Sequence, residues 1–322
     1  MIIFLIVVFA VIIVLIIAVF SVTSDGPIGR WVSLEGQEEY NYAYNLAMKS
    51  MPEPTQVYNV LTSFGTVRVY KWGSEDKIDI GKPIVLLPGR SSGVPMWYLN
   101  INDFVNSRIV YAFDALGDAG MSVQTSPIKN SEEQALWINE VLTELRLTKI
   151  HAVGHSFGGW LVANYASMYP ERIESISLIE PVFTFQSIKP ILIIKSIPYN
   201  LKFLPKSWRQ GLIKEISGTD NIDRLDPVAR MIDDGTTNYI MKLPIPKQIT
   251  KEQMQNWTFP VFLALAGKSP IHDSNKAIQV AKTNVKNLTG KVWEYGTHSL
   301  PMEYSKLIDE AIIDFIDEAE LK

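Results

Sequence analysis

Cysteine is absent from all 322 residues. That removes disulfides, thiol nucleophiles and Cys-based metal sites together, and leaves the redox compartment open. Histidine is scarce, at positions 151, 155, 272 and 298 only, so any imidazole chemistry has four places to come from. An excess of positive charge is also missing. Thirty basic residues against 34 acidic ones give a net charge of −4, and no electrostatic case for nucleic acid. No internal repeat and no low-complexity linker interrupts the chain, and neither a metal nor a cofactor is expected.

What the sequence has is apolar residues, 47% of the total, enough for one large core or two small ones. They are densest at the amino terminus, where residues 1–20, "MIIFLIVVFAVIIVLIIAVF", run without a polar break. At 1.5 Å per residue such a helix spans the roughly 30 Å hydrocarbon layer of a bilayer. A cleaved signal peptide would carry a basic start, a shorter apolar run and a small-x-small site. No Lys or Arg precedes this run, so the expectation is one uncleaved transmembrane anchor over residues 1–22. Arg30 is the only nearby downstream cation, and acidic residues contribute little to topology. The balance leans toward placing the rest of the chain on the extracytoplasmic side.

Residues 31–52 read as a short helix leading off the membrane, inside a juxtamembrane segment 23–54. Two β-rich runs then flank Ser63-Phe64-Gly65 as a hairpin. Beyond it, short continuous apolar runs alternate with amphipathic segments: "PIVLLP" (83–88), "RIVYAFD" (108–114), "KIHAVG" (149–154), "SISLIE" (175–180), "PVFLALAG" (260–267) and "KVWEY" (291–295). Runs of this kind suit strands covered on both faces, and so a mostly parallel, doubly wound α/β sheet. Ser131 with Gln134 reads as a capping box opening one of the helices, and Leu307, Ile308, Ala311, Ile312 and Phe315 mark another near the C-terminus. Nearly eighty residues between Glu180 and Phe259 contain no clear sheet strand. A structureless loop of that length is uncommon, so residues 182–258 read as a helical cap inserted into a core of 55–181 and 259–322.

Gly154-His155-Ser156-Phe157-Gly158 matches G-x-S-x-G between a strand run and a helical run. A tight strand-to-helix turn needs small neighbours, and it lifts the serine oxygen toward substrate while the next backbone N–H faces a developing oxyanion. A bland glycine-rich turn is the alternative, and the strand–turn–helix context favours the nucleophile.

Together with "VLLPGRSSGVPMW", "FDALGDAGMS", "SLIEPV" and "GTHSLPMEYSKLID", this motif resembles the α/β-hydrolase superfamily, in particular its small capped carboxylesterase-like members. The resemblance implies a base at His298, in the loop after the last strand, and oxyanion donors at the backbone N–H groups of Phe157 and Arg90. It places an acid about three residues after Gly267, where this chain has Pro270. Some superfamily members carry the acid at the end of the preceding strand, which here is Glu180. Asp273 is the alternative, and a pair without an acid is a third. Asp114 and Asp118 fall where the resemblance implies loop architecture.

The activity so implied is hydrolysis of a lipophilic carboxylic ester through an acyl-enzyme on Ser156. Thioesterase, amidase or perhydrolase chemistry fits the same residues. Dehalogenases and epoxide hydrolases of this fold need an aspartate nucleophile, so Ser156 argues against both. A membrane-tethered binding protein without turnover is the reading of a different class, and the empty acid slot is its support. Residues 187–214 mix six cations with large apolar side chains and hold no acid, which suits a cap surface that meets lipid.

Overall fold

The computed structural model describes residues 26–73, 81–192 and 225–321. In chain order these form β1 (Arg30–Trp31), α1 (Leu34–Met48), β2 (Gln56–Thr62), β3 (Gly65–Trp72), β4 (Ile84–Leu87) and α2 (Ile101–Ser107). Then come β5 (Val110–Phe113), β6 (Val123–Gln124), α3 (Ser131–Glu144), β7 (Ile150–His155), α4 (Phe157–Met168) and β8 (Ile173–Ile179). The remainder is α5 (Pro227–Asn238), β9 (Tyr239–Ile240), α6 (Lys251–Gln255), β10 (Val261–Ala266), α7 (Ser274–Asn284), β11 (Leu288–Trp293), α8 (Leu300–Glu303) and α9 (Ser305–Glu320).

The main sheet has the order β11-β10-β8-β7-β4-β5-β3-β2, with β6 on β3. All pairs from β11 to β5 are parallel, while β3 runs antiparallel to its neighbours. The strand period of two divides the sheet's side chains between two cores. Val85, Leu87, Leu263 and Leu265 face one core with the apolar stripes of α3, α4 and α7. Ile84, Leu86, Phe262 and Ala264 face the other with α1, α2 and α9. Coverage on both faces is what the unbroken apolar runs required.

Four details differ from the sequence reading. The first is the cap of α3, which is Asn130 rather than Ser131. Its side chain accepts the Glu133 N–H at 2.8 Å, and the Lys129 N–H donates to Glu133 Oε2 at 2.6 Å. The pairing is thus one residue earlier. The second is β11, which starts at Leu288, three residues before the expected run. At the sheet edge its first half is exposed and needs few apolar residues, so apolar density was the wrong signal there. The third is Leu307, which points to solvent, whereas Ile308, Ile312 and Phe315 are buried.

The fourth concerns residues 31–52, which do more than lead away from a membrane. Tyr40, Ala43, Tyr44 and Ala47 of α1 are buried in the second core. α1 packs against α5, and β1 pairs with β9, so the segment before the core and the segment inserted into it are joined. Residues 193–224, most of the basic stretch, and the apolar run 1–20 lie outside the described residues. Among the described residues no helix is long and apolar enough to cross a membrane.

The cap assignment is testable. Asn130→Ala is expected to lower unfolding stability by about 1 kcal/mol, the usual worth of an N-cap, and Ser131→Ala by less than half of that. Urea denaturation of the two variants checks it.

Candidate active site

The site is built at the C-terminal ends of β7 and β8 and in the loop after β11, the edge where parallel α/β sheets bind ligands. Ser156 sits between β7 and α4 with φ 55° and ψ −115°, a conformation an L-residue adopts only when its surroundings enforce it. The enforcement is steric. A Cβ on Gly154 would lie 2.3 Å from the Gly158 carbonyl oxygen, and one on Gly158 would lie 2.2 Å from the Leu87 carbonyl oxygen. Only glycine fits at either place, so the turn stays tight and Ser156 remains half-buried and reachable.

His298 Nε2 is 2.8 Å from Ser156 Oγ, and His298 Nδ1 is 3.0 Å from Glu180 Oε2. Glu180 lies just past the end of β8, itself at φ 49°, a second enforced left-handed residue. Its N–H donates to the Ala264 carbonyl at 2.8 Å, which fixes the turn on β10 and aims the carboxylate at the loop after β11. Burial pushes the Glu180 carboxyl up, but the His272 and His298 rings outweigh it and hold the group well below the usual carboxylate range. An ionised Glu180 can only accept, so His298 Nδ1 carries its proton. Nε2 is then left to accept from the Ser156 hydroxyl.

Asp273, the other candidate acid, lies elsewhere. It caps α7, accepting the Lys276 N–H at 3.1 Å, and its other oxygen is 3.3 Å from Lys276 Nζ. The structure therefore brings Ser156, His298 and Glu180 into one hydrogen-bonded line and leaves Asp273 out of it.

The amides expected to face an oxyanion flank Ser156. Phe157 opens α4 and Arg90 lies in the loop after β4. Among the described residues neither N–H has an intramolecular acceptor. Asp118 holds this loop by accepting the Ser91 N–H at 2.9 Å, and Asp114 accepts from the Val94 N–H, the Met121 N–H and the Tyr44 hydroxyl. Burial pushes both carboxyls up, with the donors around Asp114 and the Arg90 charge near Asp118 opposing it. Both aspartates thus serve the loops around the serine.

Residues 82–216 match the family model described as alpha/beta hydrolase fold. The solved carboxylesterase CesB (YbfK) of Bacillus subtilis superposes with a TM-score of 0.79 at 22% identity, over 88% of this chain and 99% of that one. This chain has the α/β-hydrolase fold. In sequence it is 26% identical over 286 residues to the uncharacterized carboxylesterase nap of Bacillus subtilis, covering 86% of this chain and 92% of that protein. It is 22% identical to carboxylesterase YbfK of the same organism over 294 residues, 89% of this chain and 96% of that one.

Within this hydrolase fold, three residues at the site escaped the sequence reading. Ser269 Oγ donates to Glu180 Oε2 at 2.6 Å, and His272 Nε2 lies 3.5 Å from Glu180 Oε1. Both occupy the loop where an acid was sought and not found. An empty acid slot was the available signal, since whatever fills it must meet the displaced carboxylate. His155 is the third. Its Nε2–H donates to the His298 carbonyl at 2.8 Å and so fixes the backbone of the imidazole loop. Its position inside G-x-S-x-G gave no hint of that.

Burial, aided by the adjacent His298, pushes His155 from 6.5 down to about 3. The folded state thus refuses a proton that the unfolded chain accepts. Stability from this group is complete above pH 6.5, declines as the pH falls, and is lost by about pH 3. His155→Asn is expected to reduce the loss of stability between pH 6.5 and 4, measured as urea midpoints against wild type.

Proposed function

We propose that this protein is a serine hydrolase that cleaves carboxylic esters through an acyl-enzyme on Ser156. The observation that carries the reading is the line Ser156 Oγ–His298 Nε2 at 2.8 Å and His298 Nδ1–Glu180 Oε2 at 3.0 Å. Ser156 Oγ attacks the ester carbonyl while its proton passes to His298 Nε2. Glu180 holds the imidazole in the tautomer that can receive it and offsets the imidazolium charge. The N–H groups of Phe157 and Arg90 receive the tetrahedral oxyanion. His298 then gives the proton to the departing alcohol, and water repeats the sequence to release the acid. Similarity to the two Bacillus carboxylesterases supports an ester as the substrate class. The non-catalytic reading loses its support, because its only motive was a missing acid and Glu180 faces His298 directly.

We further propose that residues 1–20 anchor the protein in a bilayer, with the hydrolase body on the extracytoplasmic side and the basic stretch 187–214 against lipid. What supports this is sequence: an apolar run of spanning length, and cations interleaved with large apolar residues.

A fluorophosphonate probe is expected to label wild type and not Ser156→Ala. On 4-nitrophenyl esters, Ser156→Ala and His298→Ala should each lower kcat by roughly three orders of magnitude or more, and the double variant should be scarcely worse. Glu180→Gln should cut kcat sharply while Asp273→Asn stays near wild type. Losses that simply multiply would overturn the shared role, and the reverse ranking of acids would move it to Asp273. For the anchor, the full chain should resist alkaline carbonate extraction from membranes, and the chain lacking residues 1–24 should not. Retention of that shortened chain on anionic but not neutral vesicles at low salt would support the basic stretch; its release from both would rule that surface out.

A further inference from the structure

An ionised carboxylate offers about four acceptor positions, and a buried one must fill them from the protein. On Glu180 three are filled. The Ala266 N–H reaches Oε1 at 2.7 Å, while the Ser269 hydroxyl and His298 Nδ1–H reach Oε2 at 2.6 and 3.0 Å. One position on Oε1 has no aligned donor. Beside it lies His272 Nε2, 3.5 Å from Oε1, on a ring that is 3% exposed. Among the described residues that nitrogen has no hydrogen-bond partner of its own. An open acceptor position and an unpartnered buried ring nitrogen therefore face each other across a gap slightly too wide for a hydrogen bond.

The surrounding charged groups are engaged otherwise. Lys189 Nζ donates to the Ser269 carbonyl at 3.0 Å, and Asp273 turns to the start of α7. Nothing else on the loop after β10 competes for Oε1. The Lys189 N–H also donates to the Ile271 carbonyl at 2.8 Å, so the residues that begin the insertion after β8 hold the loop that carries His272.

We propose that His272 is a positioning residue for the reaction: its Nε2–H closes onto Glu180 Oε1 and fixes the carboxylate's rotation, so that Oε2 meets His298 Nδ1 in line. The inference rests on reading Glu180 as the acid of the Ser156–His298 pair. Hydrogen bonds of this kind are often long in a resting site and tighten in the reacting complex, which accounts for the 3.5 Å separation. Without the fourth donor, the carboxylate can rock about its own axis, and the imidazole loses its fixed partner as it takes the serine proton.

The test uses the detergent-extracted full chain with 4-nitrophenyl butyrate. His272→Ala and His272→Gln are each made in the wild-type and Glu180→Gln backgrounds. His272→Ala is expected to lower kcat about tenfold at unchanged KM, the scale of one hydrogen bond to a charged group. His272→Gln, whose amide nitrogen reaches nearly as far as Nε2, should recover most of kcat. In the Glu180→Gln background, His272→Ala should cost less than twofold, because a residue that acts through Glu180 has nothing left to position. An equal loss in both backgrounds, a change in KM alone, or Gln no better than Ala would overturn the proposal. Should His272→Ala not fold, His272→Asn, whose amide falls short of Oε1, takes its place in the same comparison. If Glu180→Gln retains wild-type kcat, the acid assignment falls and the role of His272 falls with it. If Glu180→Gln is crippled while the His272 variants are silent, only the present inference fails.

Discussion

A carboxylate shut away from water is the constraint around which the catalytic end of this molecule is arranged. Glu180 is fully buried, and left without donors it would take up a proton and cease to orient an imidazole. Donors converge on it from the end of β10, the loop after it and the loop after β11. Three strand ends, those of β8, β10 and β11, must be in register before one side chain can remain ionised. The parallel pairing of β8 with β10 and of β10 with β11 supplies that register, because it brings the three strand ends to the same height. The order of the sheet is thereby tied to the protonation state of one group.

The two enforced backbone turns belong to the same arrangement. Left-handed φ values at Ser156 and Glu180 each cost on the order of 1–3 kcal/mol. They are adjacent in space, since the Ser156 N–H donates to the Ile179 carbonyl and the Val182 N–H to the Ser156 carbonyl. Each turn thus uses the other as its hydrogen-bonding partner. Strain in the turn at Ser156 and strain in the turn at Glu180 are held by one short backbone ladder beyond the ends of β7 and β8.

Much of this could be read in the sequence. Apolar runs located the strands because the sheet is covered on both faces, and Gly154 and Gly158 announced a turn with no room for a Cβ. Glu180 was legible only as a substitute, through the proline at Pro270 where an acid was sought. Other features were out of reach for physical reasons. The contacts of Ser269, His272 and His155 depend on tertiary approach, not on pattern. The exposed first half of β11 lacked the apolar density by which buried strands are found, so its start at Leu288 was hidden. Two adjacent polar residues competed to cap α3, and Asn130 prevailed because its extended backbone, with φ −153° and ψ 176°, aims its side-chain oxygen at the free N–H groups. The role of α1 was hidden as well, because aromatic residues spaced along a helix say that it packs but not against what.

The union of α1 with the insertion has a consequence for limited proteolysis. Among the described residues the backbone first bonds the body at Gly29, whose N–H donates to Gln124 Oε1 at 3.0 Å, and Arg30 and Trp31 then pair with Ile240 and Tyr239. A protease cutting before Gly29 would remove residues 1–20 and still leave every buried residue of α1 in place, with the Ser156–His298–Glu180 line untouched. A cut inside α1 would instead strip Tyr40, Ala43, Tyr44 and Ala47 from the second core and unseat α5 with them. Harmless trimming and loss of the second core are separated by a few residues of chain, and the boundary between them is a two-residue strand.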